Sequence, residues 1–335
     1  MRIFVFEYIT GGGMLDRPLP ASLAREGDLM RDALVSDLSE LADIELCVTG
    51  DPRLSDAKLP VACRLIQGPA VFQQAWNEAL DAADAVWPIA PEHFGTLERI
   101  SAAVVARGRI LLNSPPAAVH MAASKLATLR WLAAAGVPVV PTYGDVDAPP
   151  ETSGRWVLKP DDGVGCMDMR LFQDRDSLRR EWERLPAGRP YLVQPFVDGV
   201  AASLCLIAKD GEAALLSINR QRIALMDDAL VLLGCVVNGL QVEDPSPYER
   251  LAGDIAAALP ELWGYVGVDL MVTPNGAQVL EVNPRLTTSY VGLKESIGVN
   301  PAELVLGLLR GRPTRRAVWS PCLAVDVCLD YAGVG

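Results

Sequence analysis

The chain has 335 residues, half of them hydrophobic, and a formal net charge of −12; that length allows two or three domain-sized cores. The acidic balance argues against a general nucleic-acid or anionic-membrane partner, because both demand a basic face. Seven scattered cysteines without a C-x-x-C pair, and two histidines, leave little for zinc ligation and point to reduced, buried thiols in a cytoplasmic protein.

Residues 1–113 alternate strand-like and helix-like stretches. Strands are expected at 2–8, 44–49, 61–66, 84–89 and 109–112, with amphipathic helices near 20–42, 70–83 and 92–107. Alternation at this spacing predicts an open parallel α/β sheet. "NSPPAA" at 113–118 breaks the pattern and marks a boundary. No long apolar core with a cleavage site follows Arg2, and no run of about 18 apolar residues occurs, so neither a signal peptide nor a membrane span is expected.

Ser124 is placed to cap a helix over 124–136 and Gly136 to end it. Beyond it the texture becomes hairpin-like. Strands are expected at 155–159, 166–172, 190–197, 201–209, 213–219 and 229–237, then a helix near 246–259 and strands 264–273 and 277–283. Helices near 289–297 and 301–310 follow, then a basic turn with Arg310, Arg312, Arg315 and Arg316, and a last strand at 322–330. A parallel front and an antiparallel back make the fold class α/β followed by α+β.

The densest chemistry lies in "GYVGVDLMVTPNGAQVLEVNPR", 264–285. Pro274, Asn275 and Gly276 suit a three-residue hairpin loop, a type I turn followed by a left-handed glycine. Counted outward, Thr273 faces Ala277, Met271 faces Val279 and Asp269 faces Glu281, with Asn283 further along Glu281's face. Two carboxylates directly opposite repel unless a cation lies between them, and Asp, Glu and an Asn carbonyl form an oxygen-only set suited to magnesium. The plain alternative is an acidic solvent-facing ladder.

Lys159 ends an apolar strand and is followed by Gly163-x-Gly165, a loop able to lay backbone N–H groups over phosphates; an ordinary hairpin would read the same. Pro195 breaks the strand "YLVQPFVDG", which leaves either backbone groups for an adenine edge or a plain edge strand. Lys125 stands in the first turn of its helix, where the dipole disfavours a cation, and a neighbouring anion would account for it. His93 and His120 read as structural or solvated.

In this order the pieces resemble the ATP-grasp superfamily of carboxylate–amine and carboxylate–thiol ligases: Lys125, Lys159 with its glycine loop, Gln194-Pro195-Phe196-Val197, Asp269 and "LEVNPR" at 280–285. The resemblance implies an N-terminal α/β domain over 1–113, a small subdomain with the glycine loop over 114–186 and a large subdomain over 187–335. It implies that Lys125, Lys159, Gly163 and Gly165 contact ATP phosphates and that the backbone of Gln194, Pro195, Phe196 and Val197 meets the adenine. Asp269, Glu281 and Asn283 would hold magnesium or manganese, and Arg285 would stabilise the transferring phosphate. Many relatives place a ribose-binding glutamate where this chain reads Gly199-Val200-Ala201-Ala202, and Asp198 is the substitute at hand. "FEYITGGG", "KPDDGVGC" and "SINRQRI" are similar to the tyramine–glutamate ligase family, which acts in making methanofuran-type one-carbon cofactors.

What this implies is an amide-forming ligase working through an acyl phosphate, with glutamate and tyramine or tyrosine as substrates; another amino acid or peptide, or a nucleotide-binding regulator without turnover, are the alternatives. Small-molecule substrates are the expected partners, with self-association left open. Arg220, in "NRQ", is a candidate for the acyl phosphate. A nicotinamide-binding first domain is disfavoured, because Asp16 stands at the third-glycine position of the opening loop and would oppose a pyrophosphate. That loop is assigned to substrate instead: Gly11, Gly12 and Gly13 would offer N–H groups to the carboxylate or acyl phosphate, with Glu7 or Tyr8 near the amine; a tight turn with no ligand is the plain alternative.

Overall fold

The computed structural model describes residues 1–54, 59–149, 154–186, 188–312 and 323–329. Arg315, Arg316 and Cys322 lie outside them. Among the described residues no helix is long and apolar enough to cross a membrane.

The front half is the expected parallel sheet. Its strands are β1 (Arg2–Glu7), β2 (Glu45–Gly50), β3 (Cys63–Leu65), β4 (Ala85–Ile89) and β5 (Ile110–Leu111), in the order β3-β2-β1-β4-β5. The helices are α1 (Ala21–Ser39), α2 (Pro69–Ala82) and α3 (Thr96–Ala106). From Ile3 to Glu7 every residue of β1 is buried, as a central parallel strand covered on both faces requires. Ile3 and Val5 pack with Leu34 and Leu38 of α1, whereas Phe4 and Phe6 pack with Trp76 and Leu80 of α2. The chain leaves β1 toward β2 and returns to β4 on the other side. The carboxyl ends of β1 and β4 therefore border the crevice where open α/β sheets take ligands.

Helices α4 (Pro116–Ala123) and α5 (Lys125–Ala134) follow, then β6 (Trp156–Pro160), β7 (Arg170–Phe172), α6 (Arg175–Trp182) and β8 (Tyr191–Pro195). Next come β9 (Val200–Lys209), β10 (Glu212–Met226), β11 (Ala229–Val237), α7 (Ser246–Ala258), β12 (Gly264–Thr273) and β13 (Gly276–Asn283). The described chain closes with α8 (Leu293–Ile297), α9 (Pro301–Leu309) and β14 (Val325–Cys328). Among the described residues the second sheet has nine strands, ordered β13-β12-β9-β10-β11-β7-β6-β8, with β14 on β11. One face packs against α4, α5 and α7 through Leu129, Leu132, Leu251 and Ile255. On the other, Ile207 and Tyr265 share a core with α9 and with α1 of the front half.

Several details depart from expectation. The strand placed at 166–172 begins only at Arg170, because 161–169 forms a loop with Gly165, Cys166 and Asp168 at positive φ. Helix α6 was not expected: its sequence is almost wholly polar and only Leu178 is buried, although Asp174 caps it by accepting from the Ser177 N–H. The β10–β11 hairpin runs further than predicted and its tip pairs with β7, Ala229 opposite Arg170. The expectation of buried thiols holds for Cys205 and Cys235, whereas Cys328 is exposed.

The hairpin of β12 and β13 corrects the predicted register. Thr273 pairs with Gly276 and Leu270 with Val279, so the loop is Pro274-Asn275 alone and the predicted Thr273–Ala277 and Met271–Val279 pairs do not form. A β-bulge at Leu280 inserts one residue into β13 and restores the pairing of Asp269 with Glu281. The bulge does what the longer loop was expected to do: it keeps both carboxylates on one face.

Candidate active site

A cleft of about 510 Å³ opens between the loop after β6 and the face formed by β9, β10, β12 and β13. Lys159, Gly165, Arg220, Asp269, Glu281, Asn283 and Arg285 all contribute to its wall. The distant sequence segments assigned to one chemistry are thus brought together.

Asp269 accepts from Gln221 Nε2 at 2.8 Å and from Asn283 Nδ2 at 3.2 Å. Loss of solvent, and then the facing Glu281 charge, push its carboxyl up to about 7. Glu281 is held by Lys125 Nζ at 2.9 Å. Lys159 is buried, and that burial brings its ammonium down to about 8 against the opposing pull of Glu281. The anion expected beside the start of α5 is Asp161. Its carboxylate accepts from Ser124 Oγ at 2.6 Å and from the Leu126 N–H at 2.8 Å, while Lys125 Nζ also donates to the Gly163 carbonyl.

The donor set fits a divalent cation in one way. Among the described residues no three His, Cys, Asp or Glu side chains cluster to hold a metal by themselves. Asp269 and Glu281 supply two carboxylates, and the Asn283 amide, which here donates to Asp269, offers its oxygen only when turned over. Two carboxylates with phosphate oxygens completing the shell are what magnesium takes in nucleotide sites.

Arg285 is fixed from the front half. Its Nε donates to both oxygens of Glu92, at 3.0 and 2.9 Å, and Nη1 donates to the Leu286 carbonyl at 3.0 Å. Arg220 lines the cleft and is exposed, and among the described residues its guanidinium has no hydrogen-bond or ion-pair partner. The loop after β6 is latched to the front half too: Asp162 accepts from the Phe94 N–H at 3.1 Å and faces His93 Nδ1 at 3.0 Å. His120 pairs with Glu98 on the surface.

Not every expected residue reaches the cleft. Phe196 and Val197 line it; Gln194 and Pro195 lie in β8, paired with Val157 and Trp156 of β6, outside its wall. The Phe196 N–H goes to the Arg155 carbonyl, and the Gln194 side chain donates to Thr142 Oγ1. Asp198, the ribose candidate, is exposed and turned onto Arg155 at 2.6 Å. Arg155 also lies over the Phe196 ring, 4.1 Å from its centroid. Gly163 contributes its carbonyl to Lys125 rather than a surface to the cleft.

At Gly11 and Gly13 the expected substrate contact is corrected. The Gly11 N–H is donated to the Glu7 carbonyl and the Gly13 N–H to the Tyr8 carbonyl, so neither is left for a substrate. A Cβ at Gly11 would stand 2.3 Å from the Glu7 carbonyl oxygen, and one at Gly13 equally close to the Tyr8 ring. Gly12 turns the chain at φ +101° against Ile66. These glycines pack a tight turn. Glu7 and Tyr8, by contrast, line a second cavity of about 300 Å³, which shares Glu26, Gly165 and Arg285 with the cleft.

Sequence reasoning missed Glu92 and Glu26. Glu92 binds an arginine 193 residues away, and Glu26 accepts from Thr288 Oγ1 across 262 residues. No local pattern around either carries that information.

Comparison with known proteins agrees with this geometry. A family model described as an ATP-grasp domain matches residues 122–289, and one described as a pre ATP-grasp 3 domain matches 44–119. The tyramine–L-glutamate ligase of Methanocaldococcus jannaschii is 35% identical over 117 residues, which span 35% of each chain. That of Methanocaldococcus fervens is 25% identical over 299 residues, 87% of this chain and 89% of the relative. Among solved structures, an ATP-grasp superfamily protein from Archaeoglobus fulgidus superposes with TM-score 0.70 at 23% identity, over 92% of this chain and 88% of the other.

Proposed function

This chain belongs to the ATP-grasp family and is a carboxylate–amine ligase of it, and we propose that it joins glutamate to tyramine or tyrosine through an acyl phosphate. The names of the two methanogen relatives support the substrates. The observation that carries the chemistry is the opposed Asp269–Glu281 pair faced by two lysines, with an anchored arginine on the same wall.

In this reading a carboxylate oxygen of glutamate attacks the γ-phosphorus of ATP as the bond to the bridging oxygen breaks, and ADP departs. Lys125 and Lys159 neutralise the phosphates. Asp269, Glu281 and the turned Asn283 amide would hold magnesium, which supplies Lewis-acid charge at the phosphoryl oxygens. Arg285, held rigid by Glu92, meets the transferring phosphate, and Arg220 lies within reach of the same anion. The apolar wall with Phe196, Val197 and Met271 receives the adenine. The amine nitrogen then attacks the acyl carbon, phosphate leaves, and an amide remains. Gly165 and its loop exclude water from the acyl phosphate. The product would serve a methanofuran-type one-carbon cofactor, made in the cytoplasm.

The test is an ADP-release screen of glutamate with tyramine, tyrosine and other amines, followed by mass analysis. The reading predicts ADP only when carboxylate and amine are both present, with a product equal to their sum less water. ATP binding without turnover across the panel would contradict it.

A further inference from the structure

The cavity at the carboxyl ends of β1 and β4 has a feature that the ligase reading leaves unexplained. Glu7 is buried in its wall and, among the described residues, makes no ion pair. The N–H groups of Thr10 and Ile9 and the Thr10 hydroxyl donate to it, and Arg31 attracts it without reaching ion-pair distance. The nearest candidate cation, Arg31, pairs with Asp28 at 2.7 Å and with Asp32 at 2.7 Å, and Nη1 donates to Thr10 Oγ1. A carboxylate withdrawn from water without a cation is costly unless a ligand brings the charge.

The rest of the wall says what kind of ligand. Ile9, Met14, Leu23, Met30, Ile89 and Phe94 make most of it apolar. A second acid, Glu26, stands where this cavity meets the cleft. The positively charged or titratable groups on the wall are engaged: Arg17 with Asp16 at 2.9 Å, Arg285 with Glu92, and His93 with Asp162. No buried cation is left over for a carboxylate.

We propose that this cavity is the amine site, that Glu7 holds the substrate's ammonium group, and that the site selects an apolar or aromatic primary amine lacking a carboxylate, hence tyramine over tyrosine. The inference rests on the ligase reading above and decides between its two amines. Position agrees with it: Arg285 and Gly165 belong to both walls, so an amine nitrogen here borders the acyl carbon activated in the cleft. Burial pushes the Glu7 carboxyl up to about 7, a range matched to accepting the proton that the ammonium must lose as its nitrogen bonds to carbon.

The experiment is calorimetric titration of tyramine, and separately of tyrosine, into the full chain with a non-hydrolysable ATP analogue, magnesium and glutamate, for the unchanged protein and for Glu7→Gln. Gln keeps an oxygen for the Thr10 N–H and loses the charge. The expected result is tyramine binding at least tenfold tighter than tyrosine, and at least a tenfold loss for tyramine in Glu7→Gln with analogue affinity within twofold. Equal binding of the two amines, or unchanged tyramine affinity in Glu7→Gln, would overturn the proposal. ADP release with glutamate and tyramine is measured in parallel; turnover beside unchanged Glu7→Gln affinity would sink the amine site and leave the ligase reading standing.

Discussion

The two cavities of this molecule treat charge in opposite ways. In the larger cleft the principal acids and most of the cations are answered from within the chain: Glu281 by Lys125, Arg285 by Glu92, Asp269 by Gln221 and Asn283. In the neighbouring cavity Glu7 makes no ion pair among the described residues, and Arg31 attracts it only from beyond that distance. The first arrangement is preorganised for a highly charged, invariant substrate, because its dipoles and charges are fixed before the reaction begins. On the proposed reading the second leaves its charge to be completed by the molecule that enters, which would fit a common ligase chemistry to a particular amine.

Breaking the cleft should cost most. Glu281→Gln removes one of the two opposed carboxylates and frees Lys125 from its partner; amide formation should fall by ~10³-fold or more while the circular dichroism spectrum is unchanged. Turnover near normal would remove the metal assignment. Arg285→Ala should lower kcat by about 10²-fold, the scale seen when one transition-state donor is removed. Glu92→Gln should cost less, about tenfold, since the guanidinium remains but is no longer clamped. If Glu92→Gln matches Arg285→Ala, the clamp is as important as the cation.

The remaining two predictions concern the second cavity. Gly13→Ala forces a methyl group against the Tyr8 ring and should cost about 1–3 kcal/mol of stability, read from thermal or urea unfolding. If stability is untouched and only amine affinity changes, the packing role assigned to the glycine turn is wrong. Glu7 adds a pH dependence. Its carboxyl is raised in the folded state from 4.5 to about 7, so between those values the folded chain binds the extra proton and stability falls as pH rises. Glu7→Gln should lose that part of the slope and at pH 8 exceed the unchanged protein by about 3 kcal/mol, with little difference near pH 4. Parallel profiles for the two proteins would contradict the buried-carboxyl assignment.

Much of the front sheet was legible because each strand is a short apolar run between amphipathic helices, and periodicity reports that directly. The Asp269–Glu281 pair was legible for a partly mistaken reason. The turn chemistry of Pro274-Asn275-Gly276 was read as a longer loop, while the register is set by the bulge at Leu280, which leaves no mark in residue type. Lys125 and Lys159 were found from their unusual positions on a helix start and a strand end. Asp198 was placed by analogy of order, and its side chain went elsewhere because Arg155 offered a nearer partner. The opening glycines looked like a ligand loop because glycine marks close approach; here what approaches is the chain's own backbone and the Tyr8 ring. Glu92 and Glu26 were out of reach, since their partners are set by how the front half docks on the second sheet.

The central claim is that a carboxylate is activated by phosphoryl transfer, and following oxygen tests it most directly. Glutamate labelled with ¹⁸O in its carboxylates, turned over with ATP and tyramine, should deliver one labelled oxygen to inorganic phosphate for each amide formed. Unlabelled phosphate beside amide product, or label appearing in AMP, would contradict the acyl-phosphate account.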